Sequence, residues 1–424
     1  MPHRCFFLAT RLLVTIGLTL LSPTGLAAAG TAKILHTFQG RDDGARPWAA
    51  LLLDEATGTL YGTTEAGGNQ LCQTSFNTGC GTVFALTPSR NGWVETVLYR
   101  FQGGNDASNP RAPLVPRPDG YFYSTTTTGG GGQDGGYGTA FRIKLGTWEE
   151  EVVFGFSSNA DGWYPQGTIA FDKSGNLYGL TPNGGEAGVA FELIPNPHGE
   201  WTEEVLYSNV GTPYAGVVID SQGNLYGCSA DNGAYHEGSV FELSPAMPDW
   251  QFTNIYSFTD SCGMFCGGTQ PGDLTRDKQG NLFGFTGDGG IPACNGYGCG
   301  TVFEMTNSGG TWEASTLYQF QNLADGWGPG YGAPAFDRSG NLYGTTQAGG
   351  QYGFGTVFKL SQVNGAWQKT TLYDFPGGAG GAEPYSGLVV DRHGNLFGTT
   401  YLGGKTGGKT CSTQGCGVVF EITQ

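Results

Sequence analysis

Apolar and polar residues alternate along most of this chain, in short runs punctuated by glycine. The run Gly387-Leu388-Val389-Val390-Asp391 ends on an acid, and an Asp-x-x-Gly-Asn turn follows. Next comes Gly-Asn-Leu-Tyr-Gly-Thr-Thr, complete around Tyr343, with variants at Tyr61, Tyr123, Tyr178, Tyr226, Phe283 and Phe397. A Gly-Gly loop leads to Gly-x-Val/Ala-Phe, ending at Phe84, Phe141, Phe191, Phe241, Phe303, Phe358 and Phe420. A Trp then opens a run into an aromatic residue, as from Trp93 to Phe101 and from Trp312 to Phe320. Period-two alternation between turn signals predicts strands. No segment carries a helical stripe.

Each unit therefore holds four short strands, and the marker recurs seven times, every 48–62 residues. Four antiparallel strands at that spacing predict an all-β, seven-bladed β-propeller. Lys33-Ile34-Leu35-His36-Thr37-Phe38 reads as a fourth-type strand with no first three, whereas the chain stops after a third-type strand. The N-terminal strand is expected to complete the last blade and remove an exposed sheet edge. A β-helix or solenoid is the alternative fold.

The first 29 residues stand apart. Arg4 and Arg11, an apolar run from Leu12 to Leu21 and Gly25-Leu26-Ala27-Ala28-Ala29 have the form of a secretory signal peptide. The expected division is residues 1–29 as leader and 30–424 as one propeller, secreted or held at the cell surface. No second long apolar run is present, so no membrane span is expected in the mature chain. The formal charge of −16 disfavours nucleic acid as a partner.

The units resemble the bacterial GloVer tandem repeat, named for Gloeobacter and Verrucomicrobia. The resemblance rests on Gly-Asn-Leu-Tyr-Gly-Thr-Thr, the Gly-Gly loop, Gly-Thr-Val-Phe-Glu-Leu and Leu-Tyr-x-Phe, and spans nearly the whole mature chain. It implies an extracytoplasmic location and no particular activity. The resemblance implies a C-terminal anchor in many relatives; none is expected here, because no long apolar segment is visible near Gln424.

Cysteines fall in close pairs within loops: Cys72 with Cys80, Cys262 with Cys266, Cys294 with Cys299, and Cys411 with Cys416. In an exported chain such pairs predict local disulfides. Cys228 replaces a threonine in a second-type strand and is expected to be a buried free thiol.

Residues that repeat build the ring, so function is sought in those that do not. Trp48, Trp163 and Trp327 break the Trp periodicity and lie in Asp-Gly loops, with Tyr164, Tyr331 and Tyr385 nearby. Asp43, Asp106, Asp161, Asp325 and Glu383 accompany them. Aromatic rings beside carboxylates suit a sugar, stacking on its apolar face and bonding its hydroxyls. The competing reading makes Asp-Gly a turn and Trp a plug between blades. Asp172, Asp220, Asp277, Asp337 and Asp391 recur at one place in five of the seven units and read as turn-formers.

No catalytic residues are assigned, and no cofactor or metal is expected. His36, His198, His236 and His393 lack metal-ligand spacing. No Asp-x-Asp-x-Asp-Gly calcium run or Gly-x-Ser-x-Gly nucleophile motif occurs. Gly403 to Thr410 matches a phosphate-loop pattern, but a strand rather than a helix follows it. The favoured function is a monomeric, non-catalytic module that binds a glycan or a protein outside the cell. A polysaccharide lyase or glycoside hydrolase working at the channel mouth, and a structural surface protein, are the alternatives.

Overall fold

The computed structural model describes residues 31–424 except 73–77, 132–135, 158, 247, 260–271, 292, 293, 295, 297, 408, 409 and 412. The expected leader and the Cys262/Cys266 pair lie outside the described residues. Seven small antiparallel sheets form a ring, a seven-bladed β-propeller with almost no helix. Blade 1 runs Leu52–Asp54, Thr59–Thr64, Thr82–Ser89 and Gly92–Arg100 from its innermost strand outward. Blades 2 to 6 begin at Val115, Ala170, Val217, Thr275 and Ala335. Blade 7 takes Val389–Val390, Leu396–Thr400 and Val418–Thr423 from the C-terminus and Thr31–Thr37 from the N-terminus. Thr31 pairs with Thr423 and Thr37 with Val418, so the ends of the chain close the ring as expected.

The repeated motifs have separable physical jobs. The Asp of each Asp-x-x-Gly-Asn turn holds its own backbone: Asp337 Oδ1 accepts from the Ser339 and Asn341 N–H groups at 2.8 and 2.9 Å. Its Oδ2 accepts from the Tyr343 hydroxyl at 2.9 Å. The glycine of Leu-Tyr-Gly lies under the third-strand Phe. A Cβ on Gly62 would sit 2.6 Å from the Phe84 ring, and one on Gly398 would sit 2.6 Å from Phe420. The second Thr of the motif bonds across to the third strand, as Thr64 does with Thr82 at 2.8 Å.

Packing between blades uses the same motifs. The Phe ending a fourth strand meets the third-strand Phe of the next blade edge to face, as with Phe101–Phe141 and Phe320–Phe358, both at 5.2 Å. The Trp opening a fourth strand reaches back to the second-strand aromatic of the preceding blade: Trp201 lies 6.1 Å from Tyr123 and Trp93 lies 6.1 Å from Phe397. One apolar cluster fills each of the seven interfaces. Aromatic pairs contribute roughly 0.5–1.5 kcal/mol each beyond the area they bury. Their repetition around the ring is therefore a large part of what holds it closed.

Candidate functional site

A proline recurs where the chain crosses from the fourth strand of one blade to the first strand of the next: Pro47, Pro110, Pro165, Pro213, Pro329 and Pro384. It packs on the glycine that opens the preceding blade's third strand. A Cβ on Gly417 would meet Pro47 at 2.6 Å, and one on Gly355 would meet Pro384 at 2.7 Å. The residue before the proline is held in the left-handed region at Arg46 (φ 56°), Asn109 (φ 56°), Tyr164 (φ 66°) and Glu383 (φ 54°). Its N–H donates to the preceding blade, from Arg46 to Cys416 O at 2.7 Å and from Asn109 to Cys80 O at 2.9 Å. Such backbone costs on the order of 1–3 kcal/mol per non-glycine residue and persists only where the surroundings enforce it.

Here the enforcement includes disulfides. Cys72–Cys80, Cys294–Cys299 and Cys411–Cys416 are all formed. In each, the second cysteine supplies the carbonyl that accepts from the residue before the next blade's proline. Cys228 is free and buried, as expected.

This crossing delivers side chains to the centre of the ring. A cavity of about 350 Å³ there is lined by residues from all seven blades, among them Trp48, Arg111, Gln166, Tyr214, Asp273, Tyr331 and Tyr385. Trp48 lies over Tyr385 at 4.6 Å with 20° between the rings, and its other ring neighbours are Tyr401 at 5.3 Å and Tyr331 at 5.4 Å. The Arg111 guanidinium sits 4.8 Å from the Trp48 ring. It donates to Glu65 Oε1 at 2.7 Å and to Gln166 Oε1 at 3.3 Å. Glu65 is 2% exposed, and its carboxylate lies near enough to Tyr401 to act on that phenol. The Tyr385 hydroxyl donates to Glu383 Oε2 at 2.9 Å. Burial, then the nearby Asp288 carboxylate, pushes the Tyr331 phenol up to about 12. Burial likewise pushes Tyr401 up to about 12, with Glu65 adding to it. Both phenols stay neutral donors at ordinary pH.

Asp273 lines the opposite side of the cavity. It accepts from the Thr168 hydroxyl and the Gly216 N–H, tying together the inner strands of blades 3, 4 and 5. Burial raises its carboxyl above the usual range.

Of the sequence candidates, Trp48 lines this cavity, together with Tyr331 and Tyr385. Glu383 bonds one of those rings. Trp163 does not line it. Its ring packs edge-on to Tyr137 at 5.0 Å and beside Tyr164 at 5.5 Å. Trp327 joins the apolar cluster between blades 5 and 6 and donates its indole N–H to Asp288 at 3.3 Å. Asp43, Asp106, Asp161 and Asp325 share one job. Each accepts the backbone N–H of the residue four positions earlier, at 2.6–3.0 Å. They close the crossing loops at their roots.

Sequence reasoning missed Glu65, Arg111, Gln166, Asp273 and Tyr401. A usable signal existed. Trp48, Arg111, Gln166, Tyr214 and Tyr385 each follow the recurrent proline, and Glu65 and Tyr401 occupy the same position just after Gly-Thr-Thr. These are variable slots inside constant motifs. Among the described residues no group of three His, Cys, Asp or Glu could hold a metal ion. None of their helices is long and apolar enough to cross a membrane.

The family model of the Gloeobacter/Verrucomicrobia repeat matches residues 70–295 and 264–424. No curated protein matches the chain. Among solved structures, a putative 6-phosphogluconolactonase from Bacteroides uniformis is similar at 12% identity and TM-score 0.47, over 76% of this chain and 84% of that one. A putative oxidoreductase (glucose dehydrogenase) from Thermus thermophilus aligns at 15% identity and TM-score 0.43, over 93% and 100%. A gluconolactonase from Xanthomonas campestris aligns at 11% and 0.40, over 95% and 98%.

Proposed function

The chain belongs to the Gloeobacter/Verrucomicrobia repeat family, and we propose that it is an exported, monomeric, non-catalytic propeller that binds a glycan at the mouth of its central channel. The observation that carries this reading is the cluster of Trp48, Tyr331, Tyr385 and Arg111 around one cavity. All four come from positions that vary between repeats. Aromatic rims suit the apolar faces of sugar rings, and the Gln166 amide, Tyr331 hydroxyl and Asp273 carboxyl supply hydroxyl partners. A cavity of about 350 Å³ is near the lower end of the range for small-ligand sites. Disulfides and family membership support an extracytoplasmic place, with residues 1–29 removed as a leader.

A glycan array, followed by calorimetry on any hit, tests the proposal. Trp48→Ala and Tyr385→Ala should each weaken binding at least about tenfold, equivalent to about 1.4 kcal/mol. Trp163→Ala, outside the cavity, should leave it near wild type. An array without hits sinks the glycan reading.

A second reading has its own observation. The charged groups Glu65, Arg111 and Asp273 do not repeat from blade to blade; Arg111, held by Glu65, and Asp273 line one cavity from opposite sides. That convergence is what a carbohydrate-active enzyme, a lyase or hydrolase, requires. Release of reducing ends or unsaturated products from a polysaccharide panel, abolished by Asp273→Asn, would favour it over the binding module.

A further inference from the structure

The aspartates that close the crossing loops have a second partner, and its chemistry changes around the ring. Two residues beyond the Trp that opens a fourth strand stands Glu95 in blade 1, Glu150 in blade 2, Glu203 in blade 3 and Lys369 in blade 6. Each faces the loop aspartate that precedes its blade.

Between blades 5 and 6 the pairing is complementary. Lys369, 3% exposed, donates to Asp325 Oδ1 at 2.8 Å, while the Tyr318 hydroxyl donates to Asp325 Oδ2 at 2.8 Å. Between blades 3 and 4 the same level is apolar: Tyr207 and Phe252 stack at 4.6 Å with 6° between rings.

Between blades 1 and 2, and between blades 2 and 3, two carboxyl groups meet instead. Glu150 lies beside Asp106 and Tyr99 with its Oε1 buried and without a hydrogen-bond partner, and the Tyr99 hydroxyl donates to Asp106 Oδ2 at 3.1 Å. The other acid near Glu150 is Glu151, the next residue on its strand, which points to the other face and is held by Arg142 at 2.8–3.0 Å. Glu203 stands at the same place in blade 3, with Asp161 as its nearest charged neighbour across the interface and its Oε1 buried without a hydrogen-bond partner. Glu204 follows it on the strand and points to the other face. Asp161 is 8% exposed and accepts from the Ser157 N–H and hydroxyl. Glu95 is the milder case, since His36 and Arg100 offset Asp43.

Two ionised carboxylates have only acceptors to offer each other, so two of them buried side by side are stable when one is protonated. We propose that the interfaces between blades 1 and 2 and between blades 2 and 3 are proton-operated latches, joined when Glu150 and Glu203 are protonated and loosened when they ionise. The loops these latches root are the ones that carry Arg111 and Gln166 to the channel. The proposal does not depend on what the channel binds.

Burial first, then the facing aspartate, pushes Glu203 up to about 7 and Glu150 up to about 9. Both folded values lie above the ordinary glutamate value. The folded protein then holds more protons than the unfolded chain between that value and about 7 for Glu203, or about 9 for Glu150. The latch contribution is complete below the ordinary glutamate value and is lost as pH rises from there through about 7 for Glu203 and about 9 for Glu150.

Hydrogen exchange of the wild-type protein at about pH 5 and about pH 9, corrected for intrinsic rates, tests this directly. Strands 92–100, 150–155 and 201–207 should lose protection at the higher pH, while 366–374 should not. A uniform change around the ring would overturn the proposal. Thermal unfolding of the Glu150→Gln/Glu203→Gln variant gives an independent check. The wild-type Tm should fall by several degrees over that range and the variant's by less than half as much. Parallel profiles would also overturn it. If the double variant fails to fold, Glu150→Lys copies the pairing used between blades 5 and 6, leaves only the Glu203 latch to open, and should lose less Tm at high pH than the wild type; a Tm that falls as far as the wild type's would overturn the latch.

Discussion

Trp48 and Tyr385 come from opposite ends of the chain and stack at 4.6 Å beside the central channel. Blade 1 and blade 7 are thus joined at the channel as well as by the backbone pairing of Thr31–Thr37 with Val418–Thr423. Replacing Trp48 with Ala should remove a half-buried indole and its ring contacts, costing about 2 kcal/mol. Trp48→Phe should recover most of that. Urea denaturation measures both.

Glu65 and Arg111 make a more sensitive pair. Removing the guanidinium in Arg111→Ala leaves a deeply buried carboxylate without its counter-charge, which typically costs about 3 kcal/mol or more. Adding Glu65→Gln to that variant should restore part of the loss. A double-mutant cycle with no coupling would contradict this account.

The glycine of Leu-Tyr-Gly admits no side chain where the third-strand ring crosses it. At Gly344 a Cβ would lie 2.6 Å from Phe285 and 2.7 Å from Phe358. Gly344→Ala should cost roughly 1–3 kcal/mol through overpacking. In blade 2 this slot holds Ser124, opposite Phe141, with its hydroxyl bonded to Ala112 O at 3.0 Å. Ser124→Gly should therefore change stability far less, and denaturant midpoints give the comparison.

Deleting residues 31–37 uncovers the edge of Val418–Thr423, a row of unpaired backbone groups open to other chains. The truncated protein should show a lower Tm and concentration-dependent association on gel filtration. A monomer with unchanged Tm would mean the seam strand is dispensable.

Closing a loop as short as that between Cys411 and Cys416 is worth about 2 kcal/mol in the chain-entropy account, less any strain. Cys411→Ser/Cys416→Ser should lower stability by about that amount, read by thermal melts. Cys228 should stay unreactive toward thiol reagents until the protein unfolds, because it is wholly buried and burial raises its thiol.

Much of the ring was legible before any coordinates. Period-two alternation, the recurring Gly-Asn-Leu-Tyr turn and the complementary chain ends specify strand number, blade number and closure, because each depends on local backbone chemistry and strand pairing. The observed closing strand, Thr31–Thr37, differs from the Lys33–Phe38 expected only at its ends; Phe38 still donates its N–H to Gly417 O at 3.2 Å. Three of the expected disulfide pairs, Cys72–Cys80, Cys294–Cys299 and Cys411–Cys416, were legible too, since both partners sit in one loop.

The centre of the ring was not. Trp48, Trp163 and Trp327 look alike in sequence, each in an Asp-Gly-containing loop. Yet Trp48 follows its proline, whereas the other two stand two positions before theirs. That offset decides which side chain faces the channel and which wedges between blades, and it acts through a proline seated on another blade's glycine. Glu65 and Arg111 stand 46 residues apart in different blades and meet only when the ring closes. Likewise, a glutamate two places after a tryptophan carries no mark of the aspartate it will face. The sequence by itself determined the repeat and its closure, which are local or pairwise along strands. Only the tertiary structure decided which variable residues share the cavity and which carboxyls lie near one another, because those depend on side chains brought together from separate blades.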